Sequence, residues 1–306
     1  MIYAELAGGL GNQMFIYAFA RALGLRCGEP VTLLDRQDWR DGAPAHTVCA
    51  LDALRLSPDV KILAEPGFAK AYLPVQNAAK TLMIKYEQRK GLLARDWNRW
   101  ERRCAPLLNL VGTHFATDGY VPVHRGPTRH FLAWGYFQGE AYFADCADAI
   151  RQELQAKDPP VAEEASAIAA APYPVAVHLR RGDYCKPENE ILQVCTPAYY
   201  ARAIAAVAAA HPDATLFVFS DDIPWARANL DTAGLPAVYM PRGSAAGDLA
   251  LMQRCRGFVL SNSTYSWWAQ YLAPAADRMV WAPGRWYAHT KQTALYQPYW
   301  RRIETE

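Results

Sequence analysis

From residue 173 to residue 282, runs of strand formers alternate with helical stretches, and few architectures accommodate that order. "YPVAVHLR" precedes "PAYYARAIAAVAAAH", "TLFVFSD" precedes "IPWARANLD", and "AVYM" precedes "SAAGDLALMQRC". "GFVLSN" then precedes "TYSWWAQYL", and "RMVWA" closes the series. No hairpin signal separates the runs. The strands must therefore be joined by helical crossovers into an open, doubly wound parallel sheet. In such sheets ligands collect beyond the carboxyl ends of the strands.

The beginning of the chain repeats the theme. "MIYAEL" alternates like a strand and ends in the breaker-rich "AGGLGN". "QMFIYAFARALGL" is apolar on nearly all sides, which predicts a helix buried between layers. "PVTLLD" supplies a second strand, completing a parallel α/β unit. From about Trp39 to Leu132, prolines and glycines interrupt mixed helical stretches and no motif stands out. "RHFLAWGYFQG" then reads as a strand and "EAYFADCADAIRQELQAK" as a helix. A chain of 306 residues is long for one core, and the two prolines of "DPP" at 158–160 cannot continue a helix. The expected domains are 1–157 and 158–306.

Composition removes several classes. With 52% hydrophobic and 20% charged residues, the chain is an ordinary globular one. A net charge of +2 argues against nucleic acid as an obligatory partner. Seven scattered cysteines without a CxxC read as reduced thiols, so a cytoplasmic location is expected. The N-terminus lacks a basic leader and carries Glu5, unlike a signal peptide. No 18-residue apolar run is free of charges and breakers, so no membrane span is expected. The stretch 85–104 has seven basic side chains against three acidic, interleaved with tryptophans. It could rest on an anionic membrane face, but a solvated helix is the preferred reading.

Three polar clusters fall where a strand gives way to a loop or helix. "HLRRGDY" places His178 and Arg180 on one face of a strand, with Arg181 and Asp183 close behind. Packing has no use for two adjacent guanidiniums. Arg180 offers a planar fork of donors that matches two phosphate oxygens. Arg181 either joins it or pairs with Asp183 to close the loop. "SDD" puts Asp221 and Asp222 at the next strand end, where a metal pair, a helix cap or a sugar contact are the alternatives. The cap or sugar contact ranks above the metal. "SNSTYSWW" places Ser261, Asn262, Ser263 and Thr264 at a helix start, ordinary as caps but also able to hold phosphate, with Ser266 a further hydroxyl. Asp248, opening another helix, is a first-turn carboxylate or a nucleotide contact. "GGLGNQ" fails as a dinucleotide fingerprint, because Met14 stands at the third glycine position. Gly9 and Gly11 still let the backbone approach a ligand, and Asn12 offers an amide beside them. HExxH, GxxxxGK[ST] and GxSxG are absent.

"GGLGNQMFIYAFARAL", "VAVHLRRGDY", "FVFSDD" and "DLALMQRCRGFVLSNSTYSWWAQYL", in this order, resemble the bacterial α-1,2-fucosyltransferases of glycosyltransferase family 11. The animal blood-group H enzymes belong to the same family. The likeness runs from residue 2 to about 285, apart from the region of roughly 40 to 130. It implies a GT-B type α/β fold, with two Rossmann-like domains facing a cleft and the acceptor on the N-terminal side. It implies inverting transfer of L-fucose from GDP-β-L-fucose to the 2-hydroxyl of a galactose-terminated glycan such as lactose, with no metal and no cofactor. His178, Arg180, Asp221, Asp222, Asp248, Asn262, Ser263 and Thr264 become donor contacts, joined by Gly9 and Gly11. Arg180 matches the arginine that holds the β-phosphate in relatives, and Asn12 matches the "GNQ" asparagine that approaches the cleft. The missing membrane anchor fits a bacterial member.

Charge flow in that reaction can be derived without the resemblance. When the bond from sugar C1 to phosphate breaks, negative charge grows on the diphosphate. A preorganised arginine holding it is worth about 2.7–4 kcal/mol, by analogy with an oxyanion donor. A base must also take the acceptor's proton. Asp183, Glu188 and Glu190 are the candidates, and the sequence does not choose among them. The rival readings are transfer of another GDP-sugar, fucosylation at another hydroxyl, and a non-catalytic GDP-sugar or glycan binder.

Overall fold

A computed structural model describes residues 1–35, 49–65, 67–90, 94–117, 119–274, 276–288 and 293–305, without the side chains at 87, 88, 90 and 94–97. The chain divides into two compact units, Met1–Leu154 and Gln155–Glu306. The first runs β1 (Ile2–Glu5), α1 (Leu10–Cys27), β2 (Val31–Leu34), β3 (Val60–Leu63), α2 (Phe68–Tyr72) and α3 (Pro74–Lys90). It continues with α4 (Ala94–Leu110), β4 (Thr113–Ala116), β5 (Phe131–Gly135) and α5 (Ala147–Glu153). Its strands form one parallel sheet in the order β3-β2-β1-β5-β4. The strand order therefore reverses between β1 and β5. Helix α1 is buried nearly all round, from Leu10 to Gly24, as its unbroken apolar sequence requires.

The second unit holds α6 (Ala162–Ala170), β6 (Tyr173–Leu179), α7 (Pro197–Ala210), β7 (Ala214–Ser220), α8 (Ile223–Asn229) and β8 (Ala237–Tyr239). Then come α9 (Ala245–Met252), β9 (Gly257–Val259), α10 (Thr264–Leu272), β10 (Met279–Pro283) and β11 (Arg301–Ile303). The sheet order is β11-β10-β9-β6-β7-β8, again all parallel. This is the doubly wound arrangement, with its switch point between β6 and β9. Every residue of β6 is buried. Val175, Val177, Leu216 and Val218 pack against Tyr199, Ile204 and Val207 of α7. Each such fully buried side chain contributes about 1.5–3 kcal/mol. Residues 187–210 form a stretch long and apolar enough to cross a membrane. Its helical part, α7, nevertheless lays one face on the core, as a core helix does.

Several elements depart from the sequence reading. Residues 140–157 do not form one helix: two 3₁₀ turns, Glu140–Tyr142 and Ala144–Cys146, precede the short α5. The cause is the buried pair Tyr142 and Phe143, whose rings enter the core and hold Phe143 outside helical φ/ψ. Strands β3, β4 and β11 carry no sequence signal strong enough to announce them. The basic stretch 85–104 is divided between α3 and α4, and residues 91–93 with the side chains at 87, 88, 90 and 94–97 lie outside the described residues. Of the rest, Tyr86 stacks on Trp100 at 4.5 Å. Glu101 is buried and accepts from the Thr117 backbone at 2.9 Å.

One histidine in each sheet is buried and held neutral. Burial pushes His114 on β4 down to about 3, and burial with the charge of Arg180 does the same to His178 on β6. The unfolded chain binds protons near pH 6.5 that the folded chain refuses until about pH 3. Stability is therefore full above that upper value and falls as pH drops through the window, by up to about 1.4 kcal/mol per pH unit for each histidine. Urea midpoints should be clearly lower at about pH 5 than at about pH 7.5; equal midpoints would contradict the burial of these rings as neutral groups.

Candidate active site

The β6–β9 switch point gathers the polar clusters of the second unit. Arg180 follows β6 directly. Its guanidinium meets Asp183 at 2.7 Å through Nη2 and Asp221 at 3.1 Å through Nη1, and its side chain remains 32% exposed. Asp221, just past β7, also accepts a hydrogen bond from the Arg181 backbone at 2.9 Å. Gly182 makes this packing possible: a Cβ there would lie 2.7 Å from the Asp221 carboxylate. Arg181 does not pair with Asp183, which corrects one of the two expectations for it. Its guanidinium lies 3.6 Å from the centre of the Trp225 ring and reaches Asp222 at 3.4 Å. Asp222 is the N-cap of α8, accepting from the Trp225 backbone at 3.1 Å. Both aspartates of the "SDD" run are thus engaged by arginines and backbone donors.

His178 points inward, 7% exposed, with Nδ1 2.8 Å from the Ser261 hydroxyl. That contact ties β6 to the loop after β9. The ring itself is a neutral prop behind Arg180. Ser263 caps α10 through the Tyr265 backbone at 3.3 Å, and Ser266 donates back to the carbonyls of Ser261 and Ser263. Thr264 opens the helix and is partly exposed. Asn262 is placed differently from its neighbours. Its side chain is 2% exposed, and its amide donates to the carbonyls of Leu192 and Trp286, each at 2.9 Å. Its Oδ1 accepts from the Cys195 thiol at 3.4 Å. With donors and acceptor engaged inside the fold, this side chain clamps the loop 182–196, although the residue lines the same concavity as Arg180. Burial beside that clamp pushes the Cys195 thiol up to about 12.

Asp248 lies in the first turn of α9, close enough to Gly243 that a Cβ there would sit 2.7 Å from it, and burial raises its pKa. Tyr265 links that helix to α10 by donating to the Ala245 carbonyl. Glu188 and Glu190 are exposed on the 3₁₀ turns that follow Asp183. Gly9, Gly11 and Asn12 belong to the first unit: Gly9 caps α1, Gly11 is buried, and Asn12 Oδ1 accepts from Gln138 at 2.9 Å. That bond spans the β1–β5 switch point. Gly8, at φ 70°, leaves room for the Asn12 side chain that a Cβ would strike.

Two concavities flank the Arg180–Asp221 pair. One, of about 370 Å³, lies beyond β7 and β8 between Asp221, Pro224, Arg227, Tyr239 and Arg242. The other, of about 200 Å³, lies between Arg181, Tyr184, Cys195, Tyr200 and Trp225. Arg227, Tyr239 and Arg242 escaped the sequence reading; the guanidinium of Arg227 sits 4.4 Å from the Tyr239 ring centre. Their signal in the sequence is that "AVYMPR" ends a strand beside the one carrying "SDD".

Residues 1–304 match the model of the family described as Glycosyl transferase family 11. The chain belongs to that family. It is 25% identical to the O-antigen biosynthesis glycosyltransferase WbnK of Escherichia coli, over 98% of this chain and 99% of that protein. It is 26% identical to an α-1,2-colitosyltransferase of Escherichia coli, over 99% of each. A bovine galactoside 2-α-L-fucosyltransferase, SEC1, is 32% identical across 104 residues, which is 32% of this chain and 28% of that protein. The NodZ α-1,6-fucosyltransferase, solved after soaking with GDP-fucose, shares the fold at a TM-score of 0.50 and 14% identity, over 89% of this chain and 92% of that one. The chain is a glycosyltransferase of GT-B type, with a parallel sheet in each unit.

The transferase's loop 182–196 depends on the Asn262 clamp. Asn262→Asp keeps the shape but turns both amide donors into acceptors facing carbonyls. The variant should lose about 1–3 kcal/mol in urea unfolding, and the backbone amides of 182–196 should exchange faster with deuterium. Unchanged stability and exchange would show that the clamp is idle.

Proposed function

We propose that the protein transfers L-fucose from GDP-β-L-fucose to the 2-hydroxyl of a terminal galactose in a glycan, inverting the anomeric carbon and needing no metal. The observation that carries the reading is Arg180. A partly exposed guanidinium, fixed by Asp221 at a strand end beside the switch point, is a preorganised phosphate seat. As the C1–O bond breaks, its electron pair passes to the diphosphate, and Arg180 stabilises the charge that develops. Arg180 thus does the work that a divalent cation does in other transferases. His178, held neutral behind it, does not compete for the anion, and the helix start at Ser263 and Thr264 adds hydroxyl and amide donors. Asp183, Glu188 or Glu190 accepts the galactose proton. Acceptor recognition is assigned to the first unit and its loops.

A second reading is favoured by the colitosyltransferase at 26% identity over 99% of the chain. Colitose is fucose without its 3-hydroxyl. A sugar pocket that hydrogen-bonds that hydroxyl would reject colitose strongly, whereas an apolar wall there would discriminate little. Competition between the two GDP-sugars separates the readings.

The protein incubated with GDP-fucose and lactose should release GDP and yield a 2-linked fucosyl-galactose, equally well in EDTA. Arg180→Ala should lower kcat by about 10²–10³ while circular dichroism and melting remain like the parent's. Arg180→Ala activity within a few-fold of the parent, or a strict need for Mg²⁺ or Mn²⁺, would overturn the roles given to Arg180. GDP binding without any release of GDP from the sugar donor would leave a binding protein instead.

A further inference from the structure

Arg180 is clasped by two carboxylates, and they are not equivalent. Asp221 is fixed twice, by Arg180 at 3.1 Å and by the Arg181 backbone at 2.9 Å, and its side chain is 13% exposed beneath Gly182. Asp183 is 27% exposed, and its carboxylate makes no hydrogen bond among the described residues beyond its 2.7 Å ion pair with Arg180. It also sits in a single 3₁₀ turn, Gly182–Cys185, so its side chain can rotate without breaking a helix or strand.

We infer that Asp183 is a stand-in for the donor's diphosphate: it occupies the phosphate seat on Arg180 and yields it when the nucleotide arrives. The inference rests on the donor reading above. Carboxylate and phosphate use the same guanidinium fork. Charge demands the exchange as well. Arg180 and Arg181 bring two positive charges to this cluster, whereas Asp183, Asp221 and Asp222 bring three negative ones. A diphosphate arriving at Arg180 meets the Asp183 carboxylate on the same guanidinium, and even with Arg227 and Arg242 lining the neighbouring concavity it is favoured when that carboxylate leaves. Asp221 is locked in place and Asp222 caps α8, so Asp183 is the one able to go. Its release places a free carboxylate beside the reacting bond only in the donor-loaded enzyme, which orders the substrates with donor before acceptor.

Calorimetric titration with GDP tests the exchange. Asp183→Asn removes the competing charge, so GDP should bind about two- to fivefold more tightly than to the parent, although transfer slows. Asp221→Asn removes the fixed support and should weaken GDP binding. A role confined to holding the loop would not tighten binding, and a fixed neighbouring charge is told apart from the exchange by the GDP complex, in which the Asp183 carboxylate should be turned off Arg180. Asp183→Ser serves the same purpose should the Asn variant melt early. Unchanged or weaker GDP binding by both Asp183 variants overturns the inference, because the nucleotide then uses other N–H groups of Arg180 while Asp183 stays. A parent protein that binds no GDP at all overturns the donor reading together with it.

Discussion

The ion-pair lattice of Arg180, Asp183 and Asp221 holds together what three separate strand ends contribute. A bare guanidinium on a loop would sample many rotamers, each diluting its effect on a developing charge. Here Asp221 fixes one edge of the fork through a contact that itself leans on the Arg181 backbone and on the bare Cα of Gly182. The neighbouring Arg181 is fixed differently, over the Trp225 ring and tied to a helix cap. Two adjacent arginines of similar exposure thus face different partners: Arg181 is covered on one face by Trp225, whereas Arg180 is held by carboxylates at two of its nitrogens. The doubly wound sheet explains why this occurs between β6 and β9: strand order reverses there, the following helices diverge, and a crevice opens beyond the strand ends.

Support extends outward from that lattice. His178 and Ser261 join the two central strands without adding a charge, and Tyr200 donates to the His178 carbonyl from α7 at 3.1 Å. A charged imidazole at this depth would raise the cost of burial and alter the field on Arg180; burial and Arg180 together keep it neutral. Asn262 anchors the loop that carries Asp183 to the far side of the unit through Trp286. The loop is thereby held at its end while the Asp183 side chain itself keeps freedom to turn. In the proposed reaction, rigidity where charge develops and freedom where a carboxylate leaves are compatible because different residues provide them.

Most of the second sheet was legible because β6, β7, β8 and β9 each end in a cluster of charged or hydroxyl residues followed by a helical turn. The first sheet was half hidden. β3 is only "VKIL" and β4 only "THFA", in which Thr113 and His114 are buried polar residues that disguise a core strand. In the second sheet, edge strand β11, with Arg301 and Arg302 exposed, gives no burial signal at all. Within the candidate site, Arg180 could be singled out from sequence because a guanidinium ending a buried strand has few structural uses. The partners of Arg180 and Arg181 could not, since Asp221 and Trp225 lie some 40 residues away and only the β6–β7 register brings them close. The structural role of Asn262 was hidden for a different reason. An amide at a helix start looks available to a ligand, and nothing local reveals that Leu192 and Trp286 already engage it.

The central claim is that one positioned guanidinium receives the diphosphate at the β6–β9 switch point. A crystal structure of the GDP complex tests it most directly. Phosphate oxygens should lie within hydrogen-bond distance of Arg180, with Asp221 still in place behind it and the Asp183 carboxylate turned away. A nucleotide bound elsewhere, with Arg180 still closed between its two carboxylates, would contradict it.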